Sequence, residues 1–397
     1  MKLTQRIQKV KPSPTLAIDS KAKAMKAEGI DVIGFGAGEP DFDTPDHIKE
    51  AAIESLRAGK TKYTPVGGVN ELKDAIIAKL KRDNKLSYTR DEIIVSCGGK
   101  HSLYNIAQVL FEAGDEVIIP SPFWVSYPDQ VILNDAKPVI VTTQEKNGFK
   151  ITPQELEKAI TPQTKAFILN SPSNPTGAAY TRQELEGLAE VLVRKNVICI
   201  SDEIYEKIVY DGFEFVSIAS LNEQIKALTI TVNGASKVYS MTGWRMGYAA
   251  GPLDVIKAMT KLQGQVTTNI ATATQWGSVA ALSGTQDFLK DWVSEFQKRR
   301  DYILKRFNAI HAVSCNKPDG AFYVFPNISA YLGKKADGKV LNTDEEIANY
   351  LLEKHLVAVV AGSGFGAPGF IRLSYATSMA NIEKGLDRIE AGLKALS

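Results

Sequence analysis

In the stretch NGASKVYSMTGWRMGY, residues 233–248, Lys237 sits among small and apolar neighbours, and Arg245 follows eight positions later. The stretch holds no acidic residue. Two uncompensated cations in a glycine-bracketed, apolar segment are expensive to bury unless an anion comes to meet them. A lysine amine is also the nucleophile that condenses with carbonyl compounds. The pair therefore asks for a ligand that is an anion, and gives a reason for one of the cations to be a lysine.

Other chemistry-bearing residues stand where apolar runs end. Ser171, Pro172, Ser173, Asn174, Pro175, Thr176 and Gly177 follow KAFILN; Asp202, Glu203 and Tyr205 follow VICIS; Ser236 and Lys237 follow ALTITVNG. Cys97, Gly98, Gly99 and Lys100 follow EIIVS. A Gly-Gly turn that opens a helix offers free N–H groups and a dipole to a phosphate, although an ordinary strand-to-helix turn explains a lone Gly-Gly as well. Asp202 suits a helix N-cap, or a carboxylate that keeps a heterocyclic nitrogen protonated. Tyr205 alone reads as a packed aromatic with a satisfied hydroxyl. Taken together with Lys237 and Arg245, these residues describe an aldehyde cofactor with a phosphate and a basic ring nitrogen. Pyridoxal 5′-phosphate meets that description, with Asp202 as its pyridinium partner and Arg245 and the Gly99 turn as its phosphate site.

The elements that must position them are legible as a period. From about residue 91, short β-branched runs alternate with amphipathic stretches: EIIVS, KHSLYNIAQVLFEAG, EVIIP, PVIVTT, TPQELEKAI, KAFILN, TRQELEGLAEVLVRKN, VICISDEI, ALTITVNG and MGYAAG. This alternation predicts an α/β fold with a mainly parallel, doubly wound sheet covered on both faces. In such a sheet ligands sit beyond the carboxyl ends of the strands, where these residues fall. After about residue 285 one long charged amphipathic helix (near 286–309) leads to GAFYVFP, a helix at DEEIANYLLEKH, the strands LVAVVAG and FIRLSYA, and a last helix. The expected division is a large cofactor-binding domain over 47–285 and a smaller α/β domain made of 1–46 and 286–397.

Bulk properties narrow the classes. A chain of 397 residues with 44% hydrophobic residues suits a globular protein with a large core. The formal charge of +2, from 47 basic and 45 acidic residues, leaves no nucleic-acid or membrane footprint. Cys97, Cys199 and Cys315 are far apart and form no CxxC, which argues for a reducing compartment and against zinc or another metal site. The basic segment MKLTQRIQKVKPSP carries no apolar run, so a cytoplasmic protein is expected.

GASKVYSMTGWRMG (234–247) resembles the pyridoxal-phosphate attachment signature of class-I aminotransferases of fold type I. GAGEPDFDTP (36–45), KYTPVGG (62–68), SPSNPTG (171–177), SDEIYE (201–206) and IRLSYA (371–376) extend the resemblance along the chain. KTKYTP, GGK, SPFWVSYP and MTGWR are most similar to the bacterial aspartate and aspartate/prephenate branch. The resemblance implies that Lys237 holds the cofactor and shuttles a proton between Cα and C4′, while Asp202 pairs with the ring nitrogen. Tyr205 and Asn174 would bond the phenolic oxygen, and Trp124 would stack on the ring; Trp124 and Asn174 also border the substrate. Gly99, Lys100, Ser236 and Arg245 would surround the phosphate. Arg372 would clamp the substrate α-carboxylate as a planar fork, with Gly38 approaching the same group by its backbone. Tyr63 would reach the phosphate of a neighbouring subunit, which implies a homodimer with shared sites. The implied reaction is transamination of L-aspartate with 2-oxoglutarate to oxaloacetate and L-glutamate, with prephenate to arogenate as a further one.

The sequence departs from the eukaryotic-type enzymes in offering no placeable arginine for the distal carboxylate. In this branch the lysine of GGK and a KPS-x-T segment are thought to serve, and Lys100, Lys11, Ser13 and Thr15 match those positions. Lys11 reads equally as a surface lysine and Thr15 as a helix cap, so an aminotransferase for neutral or aromatic amino acids is the alternative. Two other readings fail. Gly362 to Ala367 spells G-x-G-x-x-A, but Pro368-Gly369 denies it the following helix; Ser363 lacks the glycine of a nucleophile elbow because residue 361 is alanine. The motifs begin by residue 36, which leaves no room within this sequence for a preceding DNA-binding module.

Overall fold

The computed structural model describes residues 3–397. Seven strands form its central sheet: β1 (Ile93–Cys97), β2 (Glu116–Ser121), β3 (Lys137–Thr142), β4 (Thr164–Asn170), β5 (Ile198–Asp202), β6 (Thr229–Gly234) and β7 (Met246–Ala250). Their spatial order is β1-β7-β6-β5-β4-β2-β3. All run parallel except β7, which is antiparallel to both of its neighbours.

The uniformly apolar strands follow from having helices on both faces. In β1, Ile94 packs into one layer with Leu103, Ile106 and Met259. Its neighbours Ile93 and Val95 point the other way, against Leu72, Ile76 and Leu80. Phe167 and Ile168 of β4 divide between layers in the same manner. A period of two with apolar residues at every position leaves no face for water. Each fully buried Ile, Leu or Phe stabilises the layer by about 1.5–3 kcal/mol.

Helix ends are set locally. Thr152 with Glu155, Thr181 with Glu184 and Thr343 with Glu346 form capping boxes at the starts of Pro153–Ala159, Arg182–Lys195 and Asp344–His355. The helix after β1 is shorter than its periodicity predicts. It spans Gly99–Leu110, because Phe111 turns extended and buries its ring in the core, leaving Gly114 in a following turn.

A second core lies at the carboxyl side of the sheet. The long helix Phe288–Phe307 contributes Phe296, Ile303 and Phe307, and the last helix, Met379–Lys394, contributes Ile382, Leu386 and Ile389. Tyr323 and Leu373 come from short antiparallel strands of this unit. LVAVVAG is not one strand: Val357–Ala358 pairs parallel with Ile33–Gly34, and Val360–Ala361 pairs antiparallel with Arg372 and Ile371. Ala22 and Val32, near the beginning of the chain, pack with Leu352 and Ala358, so the first residues join the last. Among the described residues no helix is long and apolar enough to cross a membrane.

Candidate active site

The carboxyl ends of β1, β4, β5 and β6 open into a cavity of about 430 Å³, roofed by the second core. At the end of β1, Gly98 takes φ +83° and turns the chain directly into the Gly99–Leu110 helix. A Cβ on Gly98 would strike the Arg245 guanidinium, and one on Gly247 would overlap the Gly98–Gly99 backbone. The absence of both methyl groups lets β7 and Arg245 close on the helix N-terminus. Arg245 donates to Thr242 O at 2.9 Å and Cys97 O at 3.4 Å and, among the described residues, has no carboxylate partner. Free helix N–H groups beside an uncompensated guanidinium make an anion cradle.

Lys100 occupies the same end of the helix, its ammonium 4.8 Å from the centre of the Trp124 ring. Its pKa is pushed down, first by desolvation and then by the neighbouring Arg245 charge, although the side chain as a whole stays accessible.

Asp202 ends β5 and is buried. Its Oδ2 accepts from the Tyr127 hydroxyl at 2.7 Å and its Oδ1 from the Ile204 N–H at 3.3 Å. Burial raises its pKa to about 6 against those hydrogen bonds and the Lys237 charge, which favour the anion. Asn170, at the end of β4, donates to Asp202 O at 3.0 Å and holds the Asn174 N–H at 2.9 Å, tying two strand ends together.

Lys237 follows the end of β6 and donates to Gly38 O at 2.5 Å. Burial pushes its pKa down to about 8; Glu39 and Asp202 pull it up, while Arg245 and Arg372 add to the depression. Among the described residues, no carboxylate comes within ion-pair distance of its ammonium. Arg372 enters from the second core, fully buried, donating to Gly36 O at 2.6 Å and Asn174 Oδ1 at 3.1 Å. Its Nε is buried without a partner, and its guanidinium lies 4.7 Å from the Tyr323 ring and 5.1 Å from that of Phe365. Tyr323 in turn shares a 2.8 Å hydrogen bond with the Tyr205 hydroxyl.

The cavity brings together Thr15, Gly38, Gly99, Lys100, Trp124, Asn174, Asp202, Tyr205, Ser236, Lys237, Arg245 and Arg372. Three residues named from the sequence lie outside it. Lys11 is exposed. Ser13 turns its hydroxyl onto Thr15 at 2.9 Å. Tyr63 is 89% exposed. Sequence reasoning missed Tyr127, Asn170 and Tyr323. Tyr127 lies in the quoted SPFWVSYP, but its partner Asp202 is 75 residues away and no local spacing signals the bond.

A lysine amine opposite a buried acid, between two uncompensated arginines, defines a site for a carbonyl compound bearing anionic groups. The chain belongs to the class I and II aminotransferases: that family's pattern matches residues 30–389. Its relatives include an aspartate aminotransferase of Bacillus sp., 51% identical with 99% of each chain covered. An aspartate/prephenate aminotransferase of Cereibacter sphaeroides is 50% identical over 100% of this chain and 99% of that one. Among solved structures, the aspartate aminotransferase of Rhizobium meliloti superposes with a TM-score of 0.96 at 48% identity, covering 100% of both chains. The expected α/β fold of the aminotransferases, with its mainly parallel sheet, therefore holds.

Proposed function

We propose that this chain transfers the amino group of L-aspartate to 2-oxoglutarate with pyridoxal 5′-phosphate as cofactor, and that prephenate is a further acceptor. Lys237 carries the reading: a half-buried lysine with its pKa pushed to about 8 and, among the described residues, no carboxylate paired with it, facing a cavity lined by further cations. The residues fit the cofactor. The Gly99 turn, Ser236, Arg245 and Lys100 would hold the phosphate; Asp202 would hold the ring nitrogen; Asn174 and Tyr205 would hold the phenolic oxygen; Trp124 would cover the ring. When bound, the cofactor supplies a carbonyl for the amino group and an electron sink for the substrate Cα.

Lys237 Nζ would hold the cofactor's carbonyl and, when free, would move the proton at the substrate Cα, a task suited to an amine titrating near neutral pH. Asp202, as an anion, keeps a proton on the ring nitrogen. Arg372 binds the α-carboxylate with the fork whose Nε has no partner among the described residues, and Gly38 allows the close approach. Lys100 and Thr15 recognise the distal carboxylate, which favours acidic donors. Residues 47–285 hold the cofactor, and 1–46 with 286–397 cover the substrate and exclude water. The protein acts in the cytoplasm as a homodimer in which the partner's Tyr63 completes the phosphate site.

Borohydride reduction of the yellow protein should fix a pyridoxyl group on the Lys237 peptide alone, and label on another lysine would refute the assignment. With 2-oxoglutarate and a panel of donors, aspartate should give the highest kcat/KM. With the cofactor kept saturating, because Lys100 also borders the phosphate, Lys100→Ser should lower that value about ten- to two-hundredfold while sparing alanine and phenylalanine, the worth of one charge-assisted contact. Equal losses for all donors would favour the neutral or aromatic alternative.

A further inference from the structure

Three carboxylates line the cavity, and two are accounted for. Asp202 serves the ring nitrogen on the reading above, and Asp19 pairs with Lys23 at 2.8 Å. The third, Glu39, is exposed at the mouth, and its only side-chain partner among the described residues is the neutral Thr242 hydroxyl at 2.8 Å. The same Thr242 gives its carbonyl to Arg245 at 2.9 Å, so Glu39 is moored to the anion cradle rather than free to swing. It also follows Gly38, whose carbonyl holds the Lys237 amine.

An anion among these cations needs a reason. Lys100, Lys237, Arg245 and Arg372 already suit the negative groups of cofactor and substrate, and a mouth built for dicarboxylates alone would carry no moored carboxylate. The two substrate classes of an amino-transfer reaction differ in one charge. The amino donor arrives with an ammonium group, whereas the 2-oxo acid has a neutral carbonyl in its place and is one unit more negative.

Resting on the proposed amino-transfer reaction, we infer that Glu39 is a specificity-determining residue that sorts the two substrates at the mouth, attracting the ammonium of the amino donor and repelling the 2-oxo acid. Held by Thr242, it meets the donor's ammonium on the path to Lys237. The same carboxylate raises the basicity of Lys237, ahead of Asp202 and against Arg245 and Arg372. The charged groups around it are Lys23 with Asp19 on the Pro14–Ala27 helix, and Lys237 with Arg245 beyond the end of β6.

Glu39→Gln tests this, because the amide can still accept from Thr242 while losing the charge. In the cofactor-loaded enzyme, KM for aspartate should rise and KM for 2-oxoglutarate should fall, each about three- to tenfold for one partly screened charge. Independently of turnover, the pH midpoint of the cofactor's visible absorbance should move down, since the anion that favours the proton on Lys237 is gone. Thr242→Val should shift both KM values in the same directions by less. Parallel shifts of the two KM values, or none with an unmoved midpoint, would overturn the sorting role. Loss of wild-type transamination itself would instead remove the reading on which it rests.

Discussion

Asp202 is held under two opposing demands: burial favours its neutral form, while the Tyr127 hydroxyl and the Ile204 N–H favour its anion. Tyr127→Phe removes a donor to a charged group, so the carboxyl pKa should climb further and kcat should fall about ten- to hundredfold. Measuring kcat with aspartate and the pH midpoint of the visible spectrum checks both. Without cofactor the same residue costs stability. Its folded pKa is about 6 against 3.8 for the model acid, so between those values the native state binds more protons than the unfolded chain. Stability contributed by this residue then falls as pH rises from about 4 to about 6 and stays lower above. Cofactor-free Asp202→Asn should therefore gain melting temperature over the parent across that window, the gain levelling off above pH 6. A calorimetric difference that does not change with pH would contradict the argument.

At the scale of elements, the turn between β1 and its helix does the most with the fewest atoms. Gly98 needs its positive φ, and a methyl group there meets the Arg245 guanidinium, whose own backbone is left-handed. Gly98→Ala should combine about 1–3 kcal/mol of backbone strain with a displaced arginine. Cofactor affinity should drop at least about tenfold, as read by equilibrium dialysis, with the far-ultraviolet circular dichroism preserved. The glycine pair and its use for a phosphate were visible in the sequence; the steric demand on Gly98 was not, because Arg245 reaches the turn from the start of β7, which lies next to β1 only in space. The antiparallel direction of β7 was equally hidden. An apolar run such as MGYAA shows that a strand is buried, while its direction depends on how the short segment from 235 to 245 returns to the sheet.

The whole molecule joins its two cores through the site. Tyr205, in the turn after β5, packs into the second core and meets its Tyr323, and Arg372 spans to Asn174 of the sheet's loops. Tyr63 lies outside the cavity and is exposed, and the proposed function has it serve a partner's site. Mixing unfolded Lys237→Ala and Tyr63→Ala chains and refolding them together tests this. If sites are shared, a hybrid dimer keeps one site with both residues intact, and activity should reappear although each parent is impaired. No recovery in hybrids proven by mass spectrometry would mean that each Tyr63 serves its own subunit.

Residue types and their order along the chain determined the reaction class. A lysine and an arginine without acids, an aspartate closing an apolar run and a Gly-Gly helix start are local patterns, as are the two-residue and helical periods that carry them. Which groups face one another was decided by tertiary structure, because the facing partners lie far apart in sequence. Tyr127 finds Asp202 across 75 residues, and Arg372 finds Asn174 across 198. Lys11 and Ser13 matched a motif yet lie outside the cavity, since the Pro14–Ala27 helix turns Thr15, Asp19 and Lys23 inward instead. Glu39 shows the same limit from the other side. Within GAGEPDF it is one more loop carboxylate, and only the fold sets it, bonded to Thr242, in a cavity lined by five cations.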